Sequence, residues 1–215
     1  MRIKELYGMG VFYPEGHKRN GPRVVFSLKA WKKILKTVGK RPPESGGFLF
    51  SVKDYYLIDT FEFDKNGSDR ASSVVYSPDI TWANEVYEKH ISNNDRFRVL
   101  VGCIHSHPGT NYEPSGESSY GSGDIGYVRK FFDYIPYLKE FFLPILVFFP
   151  GSFPVIVPWI CKKNYFGIKL CLAREVSVLD LSSIPYELNN RTTEVAEKEK
   201  KNSITNRTEN ISKEV

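Results

Sequence analysis

Cysteine is scarce in this sequence: Cys103, Cys161 and Cys171 are the whole complement, and no two stand in a Cys-x-x-Cys spacing. Three thiols cannot all pair within one chain. A disulfide framework and a cysteine-rich zinc module are both excluded, and a reducing, cytoplasmic compartment is expected. Long apolar runs are missing too. The longest, around Phe141 to Phe149, is broken by Pro144 and falls well short of the roughly 20 residues that span a membrane. The opening stretch, MRIKELYGMGVFYPEGHKRNG, has no apolar core of the kind a secretory signal carries. Nor is there a large excess of one charge. Thirty basic and 25 acidic residues leave +5, too mild to demand nucleic acid, which is not expected as a partner. Histidine is rare as well, at four residues: His17, His90, His105 and His107.

What is present describes a folded body with a polar end. The chain of 215 residues is long enough to bury a core without disulfide staples. Every aromatic residue lies at or before Tyr186. Beyond it come Glu, Lys, Asn, Thr and Ser with isolated aliphatics, which cannot bury enough apolar surface to offset chain entropy. The reading is therefore an N-terminal extension over 1–22, one domain over 23–186, and a polar tail over 187–215 expected to lack fixed structure.

Within the body, RVVFS at 23–27 reads as a strand. Leu28 to Val38 reads as an amphipathic helix with Leu28, Trp31, Ile34, Leu35 and Val38 on one face, stopped by Gly39. Strands are expected at 46–52, 55–63 and 72–76, with a hairpin turn at Lys53-Asp54. Ser77 is expected to cap a helix starting after Pro78. Phe97 to Ile104 reads as a buried strand leading into His105. A Gly- and Ser-rich stretch runs from Gly109 to Gly123, a helix begins at Asp124, and strands follow at 143–149, 155–160 and 165–172. Grouped strands with interspersed helices predict an α+β, or mixed α/β, domain.

The chemistry centres on His105-Ser106-His107-Pro108. At a strand end, residues i and i+2 face the same way, so two imidazoles project together and can share a cation. Pro108 turns the chain away and leaves them at a strand terminus. Two histidines and a carboxylate form one catalytic zinc set. Asp124 stands at a helix start, and Glu44 immediately precedes Gly46 and Gly47, where backbone can approach closely. A carboxylate that is not a ligand serves as proton acceptor and donor. Cys103 shares the histidines' face and reads as a small buried residue rather than a thiolate ligand. His17 reads as a surface residue, and His90 as a helix-end residue.

Glu44-Ser45-Gly46-Gly47, His105-Ser106-His107-Pro108, Pro114-Ser115 and Asp124, in that order, resemble the motif of the JAB/MPN (JAMM) zinc metalloproteases in their prokaryotic single-domain form. The likeness covers roughly Arg23 to Leu172. It departs from the pattern in one place: the aspartate falls nine residues past Ser115 rather than three. The serine position therefore stays open between Ser115 and Ser122, and Glu117 is a weaker candidate carboxylate.

The resemblance implies an MPN fold, cytidine-deaminase-like, with a mostly antiparallel curved sheet flanked by helices. It implies Zn²⁺ held by His105, His107 and Asp124, Glu44 as general base and acid, and Ser115 or Ser122 as oxyanion donor. The implied activity is a deubiquitinase-like isopeptidase or peptidase acting at the C-terminus of a ubiquitin-like protein, with no membrane association; a homodimer is compatible with it. The alternatives are a non-catalytic MPN-like scaffold and a RadC-like DNA-associated protein.

Overall fold

The computed structural model describes residues 3–40, 44–52, 56–70, 76, 78–92, 98–116, 123–135, 138–165 and 167–181. The expected turn at Lys53-Asp54, the Ser77 cap, most of the strand expected at 72–76, Glu117, Ser122 and the tail 187–215 lie outside them. The chain divides into two units, Met1–Leu179 and Asp180–Val215. The second is described only at Asp180 and Leu181.

The first unit is built on strands. In chain order they are β1 (Ile3–Leu6), β2 (Met9–Phe12), β3 (Arg23–Ser27), β4 (Gly46–Val52), β5 (Leu57–Phe63), β6 (Arg98–Ser106), β7 (Glu140–Val147), β8 (Val155–Asn164), β9 (Gly167–Leu172) and β10 (Glu175–Leu179). The described helices are α1 (Leu28–Lys36), α2 (Lys65–Arg70), α3 (Ile80–Ser92) and α4 (Asp124–Tyr134), with a short 3₁₀ turn at Val38–Lys40. All ten strands join one sheet in the order β1-β2-β8-β7-β6-β4-β5-β3-β10, with β9 added on β8.

This architecture corrects the expected fold. The chain forms a mixed, near-barrel sheet with few helices, not the helix-flanked, mostly antiparallel sheet of the MPN fold. Parallel pairing occurs at β2–β8, β3–β5, β6–β7 and β3–β10. Two of these pairings, β2–β8 and β3–β10, come from the recruitment of both ends of the unit into the sheet. β1 and β2, in the segment read as an extension, form a hairpin, and β2 then pairs parallel to β8. β10 pairs along the whole of β3.

The sheet is buried on both faces. In β7, Phe142 and Leu146 enter one hydrophobic cluster while Phe141, Leu143, Ile145 and Val147 enter the other; in β8, Ile156 and Ile160 oppose Val155, Val157, Trp159 and Cys161 in the same way. Burial on both faces makes a strand read as a continuous apolar run, which is how β6, β7 and β8 look in the sequence. α1 covers the first face. Ser27 caps it by accepting from the Ala30 N–H at 3.1 Å, and the buried Trp31 donates its indole N–H to the Leu6 carbonyl at 2.8 Å. α3 begins at Ile80, with the Asp79 carboxylate accepting from the Trp82 N–H at 3.0 Å. The helix after Pro78 is thus capped by Asp79.

β6 lies at the middle of the sheet, antiparallel to β4 and parallel to β7. Gly102 permits this: a Cβ there would stand 1.9 Å from the Phe142 carbonyl oxygen of β7. β6 runs two residues past the expected Ile104, so His105 and Ser106 belong to the strand.

Candidate metal centre

His105 and His107 leave the end of β6 on the face occupied by Cys103 and the second cluster. Their Nε2 atoms lie 2.9 Å apart. Asp124, the first residue of α4, reaches both rings: Oδ1 is 2.9 Å from His105 Nε2, and Oδ2 is 3.3 Å from His107 Nε2. Ligand atoms of the three residues all fall within 4.8 Å of one another, and the group could hold a metal ion. Zinc bonds of about 2.0–2.1 Å in a tetrahedron separate donors by about 3.3 Å, so the donor set fits such an ion with shifts of a few tenths of an ångström.

The surroundings orient these ligands. His107 Nδ1 lies 3.0 Å from the Asn111 carbonyl oxygen. That carbonyl can only accept, so Nδ1 carries the proton and Nε2 keeps its lone pair for a ligand. The loop bearing Asn111 is tied down by Trp159, whose indole N–H donates to the Tyr112 carbonyl at 2.7 Å. The helix cap preceding Asp124 is Gly123, which has no side chain to offer. Ser115 supplies the missing group: its Oγ accepts from the Asp124 N–H at 2.8 Å and donates to Oδ2 at 2.9 Å, while its own N–H donates to Oδ2 at 2.7 Å.

Glu44 arrives from the neighbouring strand. Gly46 pairs with His105 in the β4–β6 register. Ser106, pointing to the other face, stitches the next step. Its N–H donates to the Ser45 carbonyl at 2.9 Å, and its Oγ accepts from the Ser45 N–H at 3.0 Å. One step further along comes Glu44, close enough to the histidines that His105 and His107 act on its carboxylate. It is 7% exposed, against 4% for His105 and 5% for His107, so charges here interact with little water between them.

The charges set one another's protonation. Burial pulls the His105 ring toward neutrality, but the Asp124 carboxylate and then Glu44 outweigh it, and its pKa lies above the usual histidine value. Burial pushes the Asp124 carboxyl up, yet His105 and His107 hold it far below the usual carboxylate range. For Glu44, burial prevails over the opposing pull of the two histidines, and its pKa is raised. A cavity of about 20 Å³, room for about one water, adjoins the centre between Tyr76, Cys103, His105, Asp124 and Phe131. Cys103 does not join the ligand set. Its thiol donates to the Ile104 carbonyl at 3.8 Å, and burial pushes its pKa well up.

No family model matches the chain, and no curated protein matches it. Among solved structures it is similar to the solution structure of protein DSY2949 from Desulfitobacterium hafniense, with a TM-score of 0.50 at 20% identity, over 73% of this chain and 93% of that one. At this identity the likeness concerns the fold alone.

Of the residues singled out in the sequence, Glu44, His105, His107, Ser115 and Asp124 are brought together. His17 lies apart, edge-on to Trp159 with ring centroids 4.7 Å apart, and His90 packs tilted against Phe50 with centroids 4.1 Å apart. The supporting roles of Asn111, Trp159 and Tyr76 carry no sequence signal, because each acts through the backbone or across the sheet.

Proposed function

We propose that the chain is a zinc-dependent peptidase or isopeptidase of the JAMM type, hydrolysing an amide bond at the C-terminus of a ubiquitin-like protein in deconjugation or precursor processing. The observation that carries this reading is the convergence of His105, His107 and Asp124 with the buried Glu44 beside them. It rests on the motif and its site, not on the sheet, since one architecture hosts many chemistries.

Two imidazoles and a carboxylate suit zinc. When bound, zinc supplies Lewis acidity and lowers the pKa of water to about 7. Glu44 takes up the proton of the attacking water at its carboxylate and delivers it to the leaving nitrogen; its raised pKa brings it closer to the working range of a general base. Ser115, whose one hydroxyl proton goes to Asp124 Oδ2, holds that ligand in place; to serve as oxyanion donor it would have to turn that proton away from the carboxylate, and Ser122, the other candidate, lies outside the described residues. The described Cys103, Cys161 and Cys171 are free and buried, which fits a reducing cytoplasm. Among the described residues no helix is long and apolar enough to cross a membrane.

The test is cleavage of ubiquitin-like C-terminal amide fusions by the zinc-loaded wild type and by Glu44→Gln. Turnover is expected to fall at least about 100-fold with zinc retained. Equal turnover, or cleavage by neither protein across a panel of such fusions, counts against the reading.

A further inference from the structure

Tyr76 belongs to no part of the motif, yet it touches two members of the centre. Its ring lies nearly parallel to that of His105, with centroids 6.2 Å apart at 19°. Its backbone amide acts on the Glu44 carboxylate and favours the charged form, against the larger effect of burial. The phenol is anchored behind the site: its hydroxyl donates to Asp64 Oδ2 at 3.1 Å. Asp64 is fully buried, and a buried carboxylate must be satisfied by donors. It accepts from the Gly67 N–H at 2.8 Å and the Asp79 N–H at 2.9 Å. It therefore ties the start of α2, the cap of α3 and Tyr76 into one rigid unit. Gly46, opposite His105, leaves room for the ring: a Cβ there would meet Tyr76 Cε1 at 2.5 Å and the Ile104 carbonyl at 2.7 Å.

We infer that Tyr76, pinned by Asp64, is a positioning residue that fixes the His105 ring and the Glu44 carboxylate relative to one another. The inference rests on the metal-centre reading and adds a support to it. A buried aromatic packs for burial alone in many proteins. Here a single residue spans ligand and carboxylate, and a partner strand gives up its side chain to admit it.

Co²⁺ titration of the metal-stripped full chain, followed by visible absorption, separates the outcomes. Tyr76→Leu is expected to bind Co²⁺ about tenfold more weakly, with altered d–d bands and helix and strand content unchanged. Tyr76→Phe, which keeps the ring and loses only the Asp64 bond, is expected to fall between the two, with a weaker affinity than wild type and a stronger one than Tyr76→Leu. If Tyr76→Leu does not fold, Asp64→Asn takes its place: a weakened affinity with altered bands supports the inference. Wild-type affinity and bands in the folded Tyr76→Leu or Asp64→Asn protein overturn it. A wild type that takes up no Co²⁺ overturns the metal-centre reading itself, and this support falls with it.

Discussion

Ser115 and Asp124 are joined by three hydrogen bonds, from 2.7 to 2.9 Å, in which the serine hydroxyl both caps the helix and holds the carboxylate. The pairing joins residues nine positions apart, with eight residues between them. It also explains how an aspartate displaced from the expected spacing still reaches the histidines. Residues 117–122 of this segment lie outside the described residues; Gly116 and Gly123 flank them, and a Cβ on Gly123 would lie 2.0 Å from the Gly116 carbonyl oxygen.

Ser115→Ala should therefore have two separable effects. Loss of the cap costs about 1 kcal/mol of stability, read by urea unfolding of the metal-free protein. Loss of the bond to Oδ2 lowers Zn²⁺ affinity about tenfold, read by competition with a chromophoric chelator. Unchanged metal affinity would leave Ser115 as a helix cap only.

The metal-free protein should have a stability window set by the His105–Asp124 pair. His105 has a raised pKa. Its contribution is complete below the unfolded value of about 6.5 and is lost as pH rises through the higher folded value. Asp124 has a depressed pKa. Its contribution is complete above the unfolded value of about 3.9 and is lost as pH falls toward the folded value. The chelated protein should lose stability as pH rises from about 6.5 through the higher folded value of His105. Metal binding needs deprotonated ligands and strengthens over the same interval, so the gap in Tm between loaded and chelated protein widens with pH. A gap that narrows would contradict the pairing.

Glu44 should be costly to the fold. With its pKa raised mainly by burial, the carboxyl favours folding only in its neutral form. That advantage is present below about 4.3 and disappears as pH rises through the folded value. At neutral pH, Glu44→Gln removes a poorly solvated charge and should stabilise the metal-free protein by up to about 1 kcal/mol. Urea midpoints of the two chelated proteins at about pH 7 check this; a lower midpoint for the variant would show that the carboxylate is well accommodated.

The site was more legible in the sequence than the sheet that carries it. His105 and His107 follow from the period of a strand, Asp124 from a helix start, and Glu44 from its place before two glycines. These are short-range rules, and the structure brings those residues together. The sheet depends on partners far apart in the chain. β2 reads Met9-Gly10-Val11-Phe12, four buried residues without alternation, so neither its strand character nor its parallel pairing with β8 is written locally. β10 gains its place only by pairing with β3, about 150 residues earlier. α2, Lys65-Asn66-Gly67-Ser68-Asp69-Arg70, has no apolar stripe and forms under the cap provided by Asp64. The expected MPN architecture came with the motif rather than from these strands, and it is there that expectation and structure part.

Zinc content tests the central claim most directly. Wild-type protein, supplied with Zn²⁺ and passed through gel filtration, should carry about one zinc per chain by elemental analysis, and His107→Ala and Asp124→Ala, folded by circular dichroism, should carry almost none. Wild-type protein without zinc, or variants that retain it in full, would contradict the metal centre on which the proposed chemistry stands.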